Sequence, residues 1–124
     1  MKLLLDTHAA LWWYSDDERL GDEAGARLAH DDNEVLLSSA VVWEVSIKRS
    51  IGKLTVSDEW ADALLEGGAR ALHVTIEHAA AVAHLPPEHG DPFDRMLVAQ
   101  AKLESAVLVS RDERLSAYGV PMLW

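Results

Sequence analysis

Four acidic residues stand inside or at the ends of apolar runs, where a carboxylate is costly unless a positive group meets it. Asp6 ends the run Lys2-Leu3-Leu4-Leu5, and Glu44 interrupts the stretch from Ala40 to Val45. Asp94 follows Asp91-Pro92-Phe93 and opens Met96-Leu97-Val98-Ala99, while Asp112 comes just after Val107-Leu108-Val109. No equally regular set of lysines or arginines accompanies them. A bound cation is therefore the expected partner, and such a set points to metal-dependent chemistry on a phosphate.

The chain has 124 residues, the length of one domain covering 1–124 with a substantial core. It contains no cysteine, which excludes a disulfide framework, a zinc knuckle and a thiol nucleophile. Asp6 cuts the leading apolar run far short of a signal peptide or a membrane span, so a cytoplasmic protein with no membrane association is expected. A net charge of −10 argues against a broad electrostatic grip on nucleic acid. It leaves room for a substrate held locally by metal and a few cations. Lys48, Arg49, Lys53, Arg95, Arg111 and Arg114 lie close in sequence to the unusual acids; among these, Lys48, Arg95 and Arg111 are weak candidates for contacting a substrate phosphate.

Short apolar runs alternate with helical segments. Strands are expected at 2–5, 34–38, 71–74, 106–110 and 120–123. Helices are expected at 7–14, 22–30, from about 41 to a stop at Gly52, from Ser57 to Gly67-Gly68, at 76–84 and from Asp91-Pro92 to about Ser105. A further short helix follows Asp112. This alternation implies a parallel sheet covered on both faces, with ligands outside the carboxyl ends of the strands. Asp6 and Asp112 fall at or just past such ends. If the first, second and fourth strands are neighbours, the acids converge.

Each acid also has a purely structural reading. Asp6 can cap the helix after the first strand, Asp91 and Asp94 form a good helix start around Pro92, and Asp112 can cap the turn that follows it. Glu44 can pair with Lys48 one turn on, worth only about 0.2–0.5 kcal/mol. That pair does not account for an acid on a face shared with Ala40, Val41, Ile47 and Ile51, which is expected to be buried. Three or four carboxylates from separate elements are what one or two hard divalent ions require. The histidines show no paired zinc spacing, and neither a nucleophile elbow nor a Gly-rich phosphate loop occurs. Trp12 and Trp13 adjoin on one short helix, so one of them is a candidate for an interface.

The segments Leu3-Leu4-Leu5-Asp6-Thr7-His8, Ser38-Ser39-Ala40 with Trp43-Glu44, His89 to Ala101 around Asp91-Pro92-Phe93-Asp94-Arg95, and Ser110-Arg111-Asp112 resemble the PIN-domain ribonucleases. More closely they resemble the VapC-type toxins of bacterial toxin–antitoxin pairs, over the whole chain. The resemblance implies a three-layer α/β/α PIN-like fold with a central, mostly parallel sheet. It implies an endoribonuclease using Mg2+ or Mn2+, one or two ions, on Asp6, Glu44, Asp94 and Asp112, with Asp91 as an auxiliary. Thr7, Ser39 and Ser110 would support these ligands by hydrogen bonds; Ser110 stands where many relatives carry Thr. A homodimer neutralised by a VapB-like antitoxin is implied as well.

A magnesium-dependent aspartyl-phosphate protein, such as a receiver domain or small phosphatase, shares the size and the acidic pocket. Asp6-Thr7-His8 lacks the second Asp of an Asp-x-Asp-x-Thr nucleophile motif, and no Lys follows the last strand. A non-catalytic binding module that keeps the pocket to grip a partner is a third reading.

Overall fold

The computed structural model describes residues 1–87 and 90–124. His89, part of the Asp-Pro-Phe-Asp segment quoted above, lies outside the described residues. Five strands, β1 (Lys2–Leu5), β2 (Glu34–Ser38), β3 (Arg70–Leu72), β4 (Val107–Val109) and β5 (Met122–Leu123), form one sheet. Its helices are α1 (Thr7–Tyr14), α2 (Asp22–Leu28), α3 (Ser39–Ser50), α4 (Trp60–Glu66), α5 (Ile76–Ala81) and α6 (Pro92–Glu104). Two 3-10 turns, Val82–His84 and Glu113–Tyr118, complete the described elements.

The sheet order is β3-β2-β1-β4-β5 and each pairing is parallel, with Leu4 opposite Leu36 on one side and Leu108 on the other. This is the expected helix-flanked parallel sheet. Its order differs from the 2-1-3-4-5 arrangement of receiver-like folds, which removes fold support from the receiver-domain form of the aspartyl-phosphate reading. The chain builds outward from β1 to β3 in one direction, then returns to lay β4 on the other side of β1. The switch point therefore falls between the carboxyl ends of β1 and β4.

The central strand shows no solvent exposure at Leu3, Leu4 or Leu5, and each such burial contributes about 1.5–3 kcal/mol. Leu97, Val98 and Ala101 of α6 and Val41 and Val45 of α3 pack into the same core. Local signals set several boundaries as expected. Asp91 caps α6 through Phe93 N–H at 2.8 Å, with Pro92 in the first turn. Gly52, at φ +75°, adopts the left-handed conformation that ends the α3 segment. The expected 76–84 helix instead tightens into a 3-10 turn after Ala81, and β3, at the edge of the sheet, is shorter and shifted to Arg70–Leu72.

One expectation about burial is corrected. Ile47 and Ile51 do not lie on a buried face; α3 leaves the core after Val45, and Ile51 is 59 % exposed. The adjacent Trp12 and Trp13 are buried to different degrees. Trp12 is buried beneath His8 and Trp124, and Trp13 packs partly against the core. The strongly exposed indole is Trp43, 63 % accessible, which meets Phe93 edge-to-face at 5.1 Å. No helix among the described residues is long and apolar enough to cross a membrane.

Candidate active site

Asp6 ends β1 with extended backbone and turns the chain into α1, its carboxylate accepting from Ala9 N–H at 2.8 Å. The helix cap and the candidate ligand are therefore the same residue. Only 8 % of Asp6 is exposed. Burial pushes its carboxyl above the usual carboxylate range. Hydrogen bonds from Ser110 and the Ala9 amide, and the charge of His8, pull it back, while the negative charge of Asp94 adds to the rise. Ser110, buried at the end of β4, accepts from Asp112 N–H at 3.1 Å. Its own hydroxyl proton serves the Asp6 carboxylate. These bonds span the switch point.

Glu44 is buried in α3, as its place in an apolar run suggested. Thr7 donates its hydroxyl to Glu44 Oε1 at 2.6 Å, and Lys48 Nζ donates to Oε2 at 2.6 Å. The intrahelical pair set aside as insufficient is thus present, and it is a close one. Lys48 carries its ammonium on Glu44, which qualifies its expected role toward substrate phosphate.

Of the remaining acids, Asp112 meets an arginine directly. Arg114 binds Asp112 in a fork, Nε to Oδ1 at 3.0 Å and Nη2 to Oδ2 at 2.7 Å. That hydrogen bonding raises the Arg114 pKa further, with smaller contributions from the charges of Asp94 and Asp91. Asp94 sits in the first turn of α6, near enough to influence both Asp6 and Arg114. Asp91 commits Oδ1 to the α6 cap, accepting from Phe93 and Asp94 N–H. Ser110 thus stands between Asp6 and Asp112, Thr7 joins the start of α1 to Glu44, and Asp94 acts on Asp6 and Arg114 through its charge.

Other assignments shift. Arg95, expected as a weak phosphate contact, donates to Pro86 O at 2.8 Å, Tyr118 Oη at 3.1 Å and Val82 O at 3.3 Å. A guanidinium aimed at backbone carbonyls is anchoring the segment before α6. Ser39 accepts from Val74 N–H at 3.1 Å, so it supports the chain after β3 rather than an acid. Arg111 is exposed and lies over the Trp12 ring at 4.5 Å.

A buried polar chain went unseen in the sequence. Ser38 donates to Gln100 Oε1 at 2.6 Å, and the Gln100 amide meets His78 Nδ1 at 3.3 Å. Thr75 N–H also donates to Nδ1, so the ring proton lies on Nε2 and points at Glu104 Oε2, 3.0 Å away. This chain joins β2, α5 and α6 beneath the site. Its only sequence signal was a glutamine within the apolar run of α6.

The donor set consists of hard carboxylate oxygens, one of them buried and raised in pKa, which is the chemistry that magnesium or manganese takes. Among the described residues, however, no three His, Asp or Glu side chains stand together as a group able to hold an ion. Lys48 on Glu44 and Arg114 on Asp112 supply opposing positive charge to two of the four acids.

The PIN domain family profile matches residues 3–121. Ribonuclease VapC22 of Mycobacterium tuberculosis is 31 % identical, over 96 % of this chain and 93 % of that protein. The fold is also that of VapBC2 from Rickettsia felis, crystallised with a promoter DNA fragment, with TM-score 0.74 at 14 % identity, covering 100 % of this chain and 99 % of that one. Mycobacterium tuberculosis VapC20, described as a sarcin-ricin loop cleaving toxin, aligns with TM-score 0.68 at 20 % identity over 95 % of each chain. Placed beside an acid at the switch point and carboxylates from α3, α6 and the turn after β4, these matches establish that the chain belongs to the PIN-domain family, within its VapC-type toxins.

Proposed function

We propose that this PIN-domain protein is the toxin of a toxin–antitoxin pair and hydrolyses RNA phosphodiester bonds with the help of Mg2+ or Mn2+. The observation that carries this reading is the buried Asp6 at the switch point, bonded to Ser110 and destabilised as an anion by burial and by Asp94. Asp6, Glu44, Asp94 and Asp112 would hold the cation, with Asp91 as an auxiliary. When bound, one or two such ions supply positive charge against a phosphodiester and lower the pKa of water.

The chain's own residues do the preparatory work. Thr7 fixes the Glu44 rotamer and Ser110 fixes Asp6, so two acids from separate elements are oriented before any ligand arrives. Lys48 and Arg114 neutralise Glu44 and Asp112 meanwhile, and must release those oxygens for them to become ligands. Both cations then lie beside a phosphate site.

A VapB-like antitoxin is the proposed protein partner, in keeping with the VapBC and FitAB assemblies that share the fold. A homodimer belongs to the same reading. Trp43, Ile47 and Ile51, left exposed along α3, offer a surface for self-association, and light scattering of Trp43→Ser protein tests it.

The deciding experiment is regulated expression of the wild type beside Glu44→Gln, scored for growth arrest and RNA cleavage. Arrest and cleavage by the wild type alone support the assignment. Equal cleavage by a folded Glu44→Gln protein would overturn it.

A further inference from the structure

A groove of about 720 Å³ opens beside the acids, between α1 and the segment that connects α3 to α4. It begins at Thr7, the residue bonded to Glu44, and continues past His8, Trp12, Lys48 and Lys53. The net charge of the chain is −10, yet among the described residues no Asp or Glu lines this groove. Of its cations, Arg19 is forked onto Asp17 and Lys48 onto Glu44. Lys53 is exposed and has no ion-pair partner among the described residues. Its charge is available to a ligand.

The groove also presents an organised stack. His8 lies flat on Trp12, with ring centroids 5.1 Å apart and planes within 11°. Trp12 is itself held by the Arg19 and Arg111 guanidinium groups, at 4.9 and 4.5 Å from its ring. His8 is exposed while it stacks on the buried Trp12. An immobilised aromatic face costs little entropy to use and accepts any nucleobase, whereas a lone lysine accepts a backbone phosphate.

We propose that this groove holds the single-stranded RNA next to the scissile phosphate, with a base stacked on His8 and a neighbouring phosphate on Lys53. His8 and Lys53 are thereby substrate-positioning residues, beyond the carboxylate set. The inference rests on the ribonuclease reading above and adds to it the path of the strand. An extended acidic peptide would also suit the charge of the groove, but it would leave the flat His8 face without a planar partner.

The test is fluorescence anisotropy with labelled single-stranded RNA in EDTA, where binding is read apart from cleavage. His8→Ala is expected to weaken binding roughly five- to a hundredfold, the worth of one base stack, while His8→Phe stays within about threefold of the parent. Lys53→Ala is expected to reduce the slope of log affinity against log salt by about 0.7, the value for one phosphate contact on a single strand. Lys102→Ala, an exposed lysine on α6 outside the groove, should leave that slope unchanged. If His8→Ala and Lys53→Ala bind RNA with parental affinity and salt slope, the proposal is overturned, even where Asp6→Asn has abolished cleavage and the ribonuclease reading stands. Loss of antitoxin binding in these variants without loss of RNA binding would equally overturn it, assigning the groove to a protein. Cleavage persisting in Asp6→Asn would count against the ribonuclease site itself and is scored separately.

Discussion

The Thr7 hydroxyl and Glu44 Oε1, 37 positions apart in sequence, meet at 2.6 Å and fasten the first turn of α1 to the middle of α3. Thr7 also follows Asp6 directly. One short hydrogen bond therefore couples the acid at the end of the central strand to the acid within a helix.

Replacing Thr7 with Val keeps the shape and removes the donor. A hydrogen bond to a charged group contributes about 1.5–3 kcal/mol, and urea denaturation should show a loss of that order. RNA cleavage should fall at least about tenfold, which corresponds to roughly 1.4 kcal/mol of barrier. Thr7→Ser should retain both properties. Parental cleavage by Thr7→Val would show that the bond orients nothing the reaction needs.

Asp6 links stability to pH with a definite sign. Its carboxyl is raised in the folded state, chiefly by burial, so the folded protein binds the proton more tightly than the unfolded chain does. Its ionisation therefore opposes folding at neutral pH. That penalty fades as the pH falls through the raised value toward the ordinary one of 3.8. Asp6→Asn keeps an oxygen for the Ala9 amide and should melt above the wild type at pH 7 without metal, the difference closing toward pH 4. A gap that is constant across a pH series of melting curves would rule out this origin.

Metal should act on the same balance. A cation that binds only the folded form adds about 2.7 kcal/mol at a hundred times its dissociation constant. Lys48 competes with it, since its ammonium holds Glu44 Oε2 at 2.6 Å. Lys48→Met should therefore lower the half-saturating Mg2+ concentration by up to about fivefold, the scale of a partly exposed ion pair. Asp6→Asn should blunt the response. Identical titrations for wild type and both variants, at constant ionic strength, would place the ion elsewhere.

Gln100 is wholly buried and takes the Ser38 proton at 2.6 Å. Gln100→Leu fits the volume but leaves the Ser38 hydroxyl proton without its acceptor, though Ser38 Oγ still accepts from Ala40 N–H, and removes the amide from His78. A loss of about 1–3 kcal/mol in urea denaturation is expected, the cost of an unpaired buried polar group. Ser38→Ala combined with Gln100→Leu should recover part of it. Full additivity of the two single losses would show that the residues do not act as a pair.

The elements themselves were written locally. Three leucines before Asp6, Asp91-Pro92 before α6 and Gly52 after α3 act through the backbone within a few residues, and each lies where its chemistry indicated. The placement of Asp6 and Asp112 beside strand ends was legible for the same reason. Which partners the side chains would find was not. The burial of Glu44 beside exposed Ile47 and Ile51 depends on where α3 parts from the core, a matter of tertiary packing that helical periodicity does not encode. Arg95 turned to backbone carbonyls, Arg114 took Asp112, and Gln100 met Ser38 across 62 positions. Burial and ion pairing depend on distances between separate elements. Those distances exist only once β4 has been laid beside β1, bringing Ser110 within reach of Asp6.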